Sequence, residues 1–112
     1  MSEQISPLVT ELRRGTLILA VLSQLKTPQY GYSLVQALEQ ASVSIDQSTL
    51  YPLLRRLEKQ QLVSSTWDTT EARPRKYYVL TEQGHQVLEE LYREWKQMSL
   101  NLQNLLEGGT SL

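Results

Sequence analysis

The chain has 112 residues, a formal net charge of −1 and no cysteine. That length suits one domain with a modest core, which a shared subunit interface would help to stabilise. The absence of cysteine excludes disulfides, thiolate zinc sites and thiol catalysis and fits a reducing cytoplasm, while the near-neutral sum excludes blanket affinity for nucleic acid.

The longest uninterrupted apolar run, Leu17 to Leu22, is far shorter than the roughly 20 residues that a membrane span needs. The start, Met1 to Ile5, has neither the basic opening nor the long apolar core of a signal peptide. A soluble cytoplasmic protein with no membrane association is expected. Its charge is unevenly spread. Residues 1–54 carry a balance of −1, residues 55–76 of +3 and residues 77–112 of −3, so positive charge is concentrated in the middle of the chain.

In chain order, Ser6-Pro7 reads as a cap followed by proline at the first helical position. A first helix is expected from Pro7 to Lys26, ended by Thr27-Pro28. Its middle is apolar on all sides, which suits a central helix with several neighbours. Gly15 within it is a weak point or a place of close approach. Tyr30-Gly31-Tyr32-Ser33 opens a second helix to Ala41, with Leu34 and Leu38 inward. Ser42 to Ile45 is short and β-branched, either a small strand or an extended link.

Asp46 caps a third helix, Gln47 to Gln60. Leu50, Leu53, Leu54 and Leu57 fall at i, i+3, i+4 and i+7, an apolar stripe. The other face carries Gln47, Ser48 and Tyr51, then Arg55, Arg56 and Lys59. Short polar groups at the tip with cations behind suit a helix that enters a DNA groove. Pro52 conflicts with helix, since it removes the bond to Ser48. Leu62 to Trp67 and Lys76 to Leu80 alternate and are β-rich, so they read as a hairpin whose long tip is Asp68 to Arg75.

Thr81 caps the last helix, which runs to Glu107 and stops at Gly108-Gly109. Leu88, Leu91, Trp95, Met98, Leu102 and Leu105 are spaced 3, 4, 3, 4, 3 along it, a short heptad seam. A small domain cannot cover so wide a stripe, and a second copy is the economical partner. The fold class is therefore mainly α with a small β-hairpin: a winged helix-turn-helix plus a long C-terminal dimerisation helix. Residues 1–81 form the winged-helix part, 82–108 the dimerisation helix of the same compact unit, and 109–112 a tail.

Several motifs carry a resemblance. Leu12-Arg-Arg-Gly-Thr-Leu, Tyr30-Gly31-Tyr32, Thr49-Leu-Tyr-Pro52, Leu54-Arg-Arg-Leu-Glu58, Arg73-Pro-Arg-Lys-Tyr-Tyr78 and Leu80-Thr-Glu-Gln-Gly84 occur in order. The chain thereby resembles the PadR family of transcriptional regulators. Its single long final helix is similar to the small subfamily that includes the LmrR-like multidrug-responsive repressors. The resemblance implies a homodimeric repressor, with the third helix in the major groove, the wing on the adjacent backbone or minor groove, and the last helix dimerising. It also implies that proline belongs inside the recognition helix, where Pro52 stands. Gln61 departs from the family, which usually has glycine before the first wing strand. A left-handed or strained turn is expected there, at about 1 kcal/mol.

Arg55, Arg56 and Lys59 could be only a solvated helix face, but a second cationic cluster, Arg73, Arg75 and Lys76, lies at the hairpin tip. Two such sites flanking one helix suit phosphate anchoring on both sides of a groove. Tyr32, Gln47, Ser48, Thr49 and Tyr51 are assigned to bases or nearby phosphates. Gln47, Ser48 and Thr49 could equally do no more than cap the helix, and Tyr51 could be half-buried packing. The expected partner is a double-stranded inverted repeat with half-sites ~34 Å apart.

Trp95 lies on the seam, where two copies could face each other. In the LmrR-like branch the matching tryptophans line a pore and stack flat aromatic drugs, so a planar aromatic ligand is expected there, with Leu8, Leu12 and Met98 as apolar neighbours or plain interface packing. The alternative to a ligand-released repressor is a winged-helix protein-interaction adaptor. No metal, cofactor or enzymatic activity is expected: His85 stands alone, and no nucleophile–base set or phosphate loop is present.

Overall fold

The computed structural model describes residues 5–108; the expected tail 109–112, including Gly109 of the helix stop, lies outside them. Four helices, α1 (Ile5–Ser23), α2 (Gly31–Gln40), α3 (Gln47–Lys59) and α4 (Glu82–Leu106), pack with three short strands, β1 (Gln29–Tyr30), β2 (Val63–Asp68) and β3 (Arg75–Leu80). The antiparallel sheet has the order β1-β3-β2. This is a winged helix: α2 and α3 form the helix-turn-helix and β2–β3 the wing.

Local chemistry sets the elements. The Asp46 carboxylate accepts from the Thr49 amide at 3.0 Å and starts α3. The Thr81 hydroxyl accepts from the Gly84 amide at 2.9 Å and starts α4. The same hydroxyl donates to the Gln61 carbonyl at 2.7 Å, tying α4 to the end of α3. Pro52 does not break α3, which is continuous through it. The Ser48 carbonyl that Pro52 leaves without a helical donor lies on the exposed side of the helix, where water can reach it. Gln61 takes φ +63°, the left-handed turn expected where glycine is usual.

The core joins Leu22 of α1 and Leu25 just after it, Leu34 and Leu38 of α2, Leu50, Leu54 and Leu57 of α3, Tyr78 and Leu80 of β3, and Leu88 of α4. Backbone bonds pin the base of the wing to it. The Leu80 amide donates to the Leu25 carbonyl at 2.8 Å and the Thr81 amide to the Leu62 carbonyl at 3.1 Å.

Several expectations are corrected. Helix α1 begins before Ser6, which is a helical residue and not a cap, and it ends at Ser23 rather than Lys26. Tight turns follow, with the Gln24 amide bonded to the Val21 carbonyl and the Leu25 amide to Leu22. Of the two alternatives for Ser42 to Ile45, the extended link is what forms. Ser42 takes φ +66°, and the Val43 amide returns to the Leu38 carbonyl at 2.8 Å to close α2. The third strand lies instead at Gln29–Tyr30, paired with Tyr78 and Tyr77. Leu17 to Ala20 are half-buried rather than enclosed, so one side of α1 stays open.

On α4 the protomer covers only the first turns. Gly84 and Leu88 are buried, while Trp95, Met98, Leu102 and Leu105 are exposed. Leu88, assigned by spacing to the dimer seam, is 8% exposed and belongs to the protomer's own core. Leu91 is half-buried against that core. Leu88 and Leu91 therefore attach α4 to the rest of the chain, and the exposed apolar stripe starts at Trp95. The molecule is elongated, 60 × 35 × 23 Å. Among the described residues no helix is long and apolar enough to cross a membrane.

Candidate nucleic-acid interface

Helix α3 turns a buried stripe, Leu50, Leu54 and Leu57, inward. The opposite stripe, at i, i+4, i+7 and i+11, is Ser48, Pro52, Arg55 and Lys59, and all four are exposed. Pro52, met in the sequence as an obstacle to helix, is thus a member of the outward face. Its ring is an apolar surface of the kind that meets a thymine methyl. Gln47, Thr49 and Arg56 are also exposed and flank this stripe. Asp46 holds the tip in shape. The Ser48 hydroxyl and the Thr49 amide keep its carboxyl below the usual carboxylate range.

Tyr51 stands differently. It is half-buried, and its ring leans on the start of α2. A β-carbon added at Gly31 would collide with its phenol, 2.6 Å from Cζ and 2.9 Å from Cε1. Gly31 is therefore needed for space, and Tyr51 serves first as a packing residue between α2 and α3. Its phenol lines a cleft of about 500 Å³ between the helix-turn-helix and the wing, with Tyr30, Tyr32, Trp67, Arg73, Arg75 and Lys76. The 55% exposed Tyr32 accepts from Gln36 at 3.0 Å.

Strand alternation divides the cationic cluster of the wing. Arg73 lies in the tip and is exposed. Arg75 places its guanidinium 4.4 Å from the centroid of the Tyr30 ring, a cation–π contact. That ring meets Tyr77 edge-on at 5.4 Å. Lys76 stands at the edge of that cleft on the face of the hairpin opposite to Arg75, where its ammonium is 3.8 Å from the Glu58 carboxylate and it borders a groove with Arg55, Arg56 and Lys59. Asp68 shapes the tip. The Thr70 backbone amide and then its hydroxyl hold its carboxyl below the usual range. Burial, then the charge of Glu58, raises the phenol of Tyr78.

The structure adds residues that the sequence did not single out. Arg14 of α1 reaches the far flank of α3, where it lines a groove with Thr49, Pro52 and Arg56. Arg14 was visible as half of an Arg-Arg pair, but only packing brings it to this helix. Trp67, 64% exposed, stands on the wing beside the cleft.

A second concavity, about 720 Å³, lies between α1 and α4. Trp95 lines it with Thr16, Leu19, Ala20, Ser23, Lys26, His85, Leu88, Glu89 and Tyr92. The expected neighbours Leu8, Leu12 and Met98 do not line it. They are 62%, 75% and 54% exposed elsewhere on the two helices. The concavity of the single chain begins at Thr16, one turn further along α1 than Leu12. Tyr92, taken only as widening the seam, instead stacks near-parallel with Trp95, with centroids 6.3 Å apart and planes at 16°. Lys96 covers its ring at 4.6 Å. Among the described residues no group of three or more His, Cys, Asp or Glu side chains could hold a metal ion.

A helix-turn-helix with an exposed polar and cationic recognition face, flanked by a cationic wing, defines a DNA-binding regulator of the winged-helix class. Comparison with known proteins narrows this. Residues 18–90 match the model of the Transcriptional regulator PadR-like family. A PadR family transcriptional regulator from Eggerthella lenta DSM 2243 is 47% identical and superposes with a TM-score of 0.86 over 93% of this chain and 89% of that one. A PadR-like transcriptional regulator from Bacillus cereus strain ATCC 14579 is 29% identical, with a TM-score of 0.75 over 88% of this chain and 99% of that one. An uncharacterised protein of Lysinibacillus sphaericus is 32% identical over 88 residues, which are 75% of this chain and 81% of that one. The chain belongs to the PadR-like family of transcriptional regulators, a family of DNA-binding regulators and not of enzymes.

Proposed function

We propose that the protein is a homodimeric, LmrR-like repressor that works in the cytoplasm. It would bind an inverted repeat and leave it when a flat hydrophobic or aromatic molecule binds beside Trp95. Residues 1–81 would read DNA and α4 would join the two copies. The observation that carries this reading is the outer half of α4. Trp95, Met98, Leu102 and Leu105 form an exposed apolar seam on a helix that the protomer leaves uncovered, and a second copy is what buries such a seam at least cost. At the start of that seam the Tyr92–Trp95 stack borders a concavity of about 720 Å³, within the size range of small-molecule sites. Offset stacking on such rings favours flat aromatic molecules.

Release would follow from differential binding. Both recognition helices are carried by bodies that α4 joins, so the angle between the two α4 helices sets their separation. A ligand that binds one angle better than the other shifts the population toward it, and DNA affinity changes by the same coupling energy. The test titrates a panel of planar aromatic compounds against the full chain on DNA from its own upstream region. Tryptophan fluorescence and DNA release are followed in parallel, in a Trp67→Phe background that leaves Trp95 as the reporter. Binding and release should saturate together, and both should be lost in Trp95→Ala, whose ligand binding is read by calorimetry because that variant has no tryptophan left. If Trp95→Ala leaves ligand affinity and release unchanged, the ligand site is elsewhere.

A further inference from the structure

Glu58 is the only acidic residue of α3, set among Arg55, Arg56 and Lys59 on the side of the chain that meets phosphates. A carboxylate there opposes DNA binding, so its place calls for another cause. Its contacts supply one. Its carboxylate accepts a hydrogen bond from the Ser65 hydroxyl of β2. It also lies 3.8 Å from the Lys76 ammonium of β3. The hairpin register makes this a single cluster. Ser65 pairs with Tyr78 and Trp67 with Lys76, and residues two apart share a face of the sheet. The Lys76 ammonium is accordingly 5.6 Å from the centroid of the Tyr78 ring and 6.0 Å from that of Trp67. It sits among two aromatic rings and a carboxylate, half-buried, whereas Arg73 and Arg75 are exposed.

The geometry points to Glu58 as a positioning residue for DNA binding: it holds the wing to the recognition helix through Ser65 and Lys76, and it withdraws Lys76 from the cations that neutralise phosphates. An exposed ion pair alone is weak, but turning Lys76 to a phosphate would break its contact with Glu58 and leave that carboxylate facing the same backbone. The pair therefore approaches DNA as a neutral unit. The consequence lies in salt dependence, because the number of phosphates neutralised sets the slope of log affinity against log salt, about 0.9 for each.

The experiment measures that slope for the full chain on a mixed-sequence duplex. It compares the wild type, Glu58→Gln, Lys76→Met and the double variant, with melting curves to confirm folding. Lys76→Met alone should leave the slope unchanged. Glu58→Gln, which keeps a partner for Ser65 but frees the ammonium, should steepen it by about 0.9 for each protomer on the DNA. Adding Lys76→Met to Glu58→Gln should return the slope to the wild-type value. If Lys76→Met flattens the slope equally in both backgrounds, Lys76 is an ordinary phosphate contact and the inference is overturned. If Glu58→Gln lowers affinity or melting temperature without changing the slope, the role is structural only and the inference is likewise overturned. Should Glu58→Gln fail to fold, the Lys76→Met arm decides alone: an unchanged slope supports the withdrawal, and a slope flatter by about 0.9 for each protomer refutes it.

Discussion

At Gly84 the start of the last helix lies close against the Leu62 carbonyl. Replacing this glycine with alanine should show how tightly that junction is set. A β-carbon at this position would run into the Leu62 carbonyl oxygen, and would lie 3.0 Å from the Leu62 carbonyl carbon and 3.1 Å from Leu80 Cδ2. The obstacle is backbone, and the Leu62 carbonyl already accepts from the Thr81 amide, so it cannot turn aside cheaply. The start of α4 must move instead, which strains the bonds of the Thr81 hydroxyl to Gly84 and Gln61. Overpacking of this kind costs about 1–3 kcal/mol, and this site belongs at the upper end. The strained cap adds about 1 kcal/mol, and the better helix propensity of alanine returns about 1 kcal/mol. A net loss of about 2–3 kcal/mol lowers the melting temperature by about 8–12 °C for a domain of this size.

Circular dichroism melts at matched protomer concentration read this directly, since association itself raises apparent stability. Gly15→Ala is the matched control. It sits within α1 with nothing within 4 Å of an added β-carbon, so it should stabilise by about 0.5–1 kcal/mol. A Gly84→Ala protein that melts within about 2 °C of the wild type, where at least 8 °C is expected, would refute the reasoning.

Three further outcomes are expected. Leu88→Ala should destabilise the fold by about 2–5 kcal/mol, as a core truncation does, whereas Leu105→Glu, at a position 76% exposed, should shift sedimentation from dimer to monomer and lower the melting temperature only by the stability that association supplied; the reverse pattern would place Leu88 on the seam after all. Arg14→Ala should flatten the salt dependence of DNA binding by about 0.9 for each protomer, and an unchanged slope would remove Arg14 from the interface. The Asp46 carboxyl is depressed in the folded state by Ser48 and Thr49, so its capping contribution is present above the unfolded value and is lost as pH falls through the folded one. The Thr49 amide resonance should titrate below the usual carboxylate range, and Asp46→Asn should abolish that titration; a midpoint at or above the usual range would undo the assignment.

Local periodicity and capping chemistry made most of the architecture legible. The stripe of Leu50, Leu54 and Leu57, the caps Asp46 and Thr81, and the alternation on either side of the 68–75 tip each depend on residues a few positions apart, and such signals survive in the chain itself. The left-handed turn at Gln61 was legible too, through the resemblance, because one missing glycine marked the spot.

What failed depends on partners distant in sequence. A two-residue strand at Gln29–Tyr30 has no period to detect and exists only because β3 offers it an edge. The heptad spacing shows that Leu88 and Leu105 share a face of α4, but not that Leu88 meets the protomer's own core while Leu105 meets none of it. Tyr51 reads as a DNA-facing aromatic until Gly31 is seen to make room for it. The contact of Lys76 with Glu58 is likewise invisible until the hairpin register brings the two together. The sequence by itself determined the four helices and the hairpin and which of their faces are apolar or charged, because those follow from neighbours along the chain. The tertiary structure alone decided what each face meets, because burial and pairing are properties of contacts between segments that the chain keeps far apart.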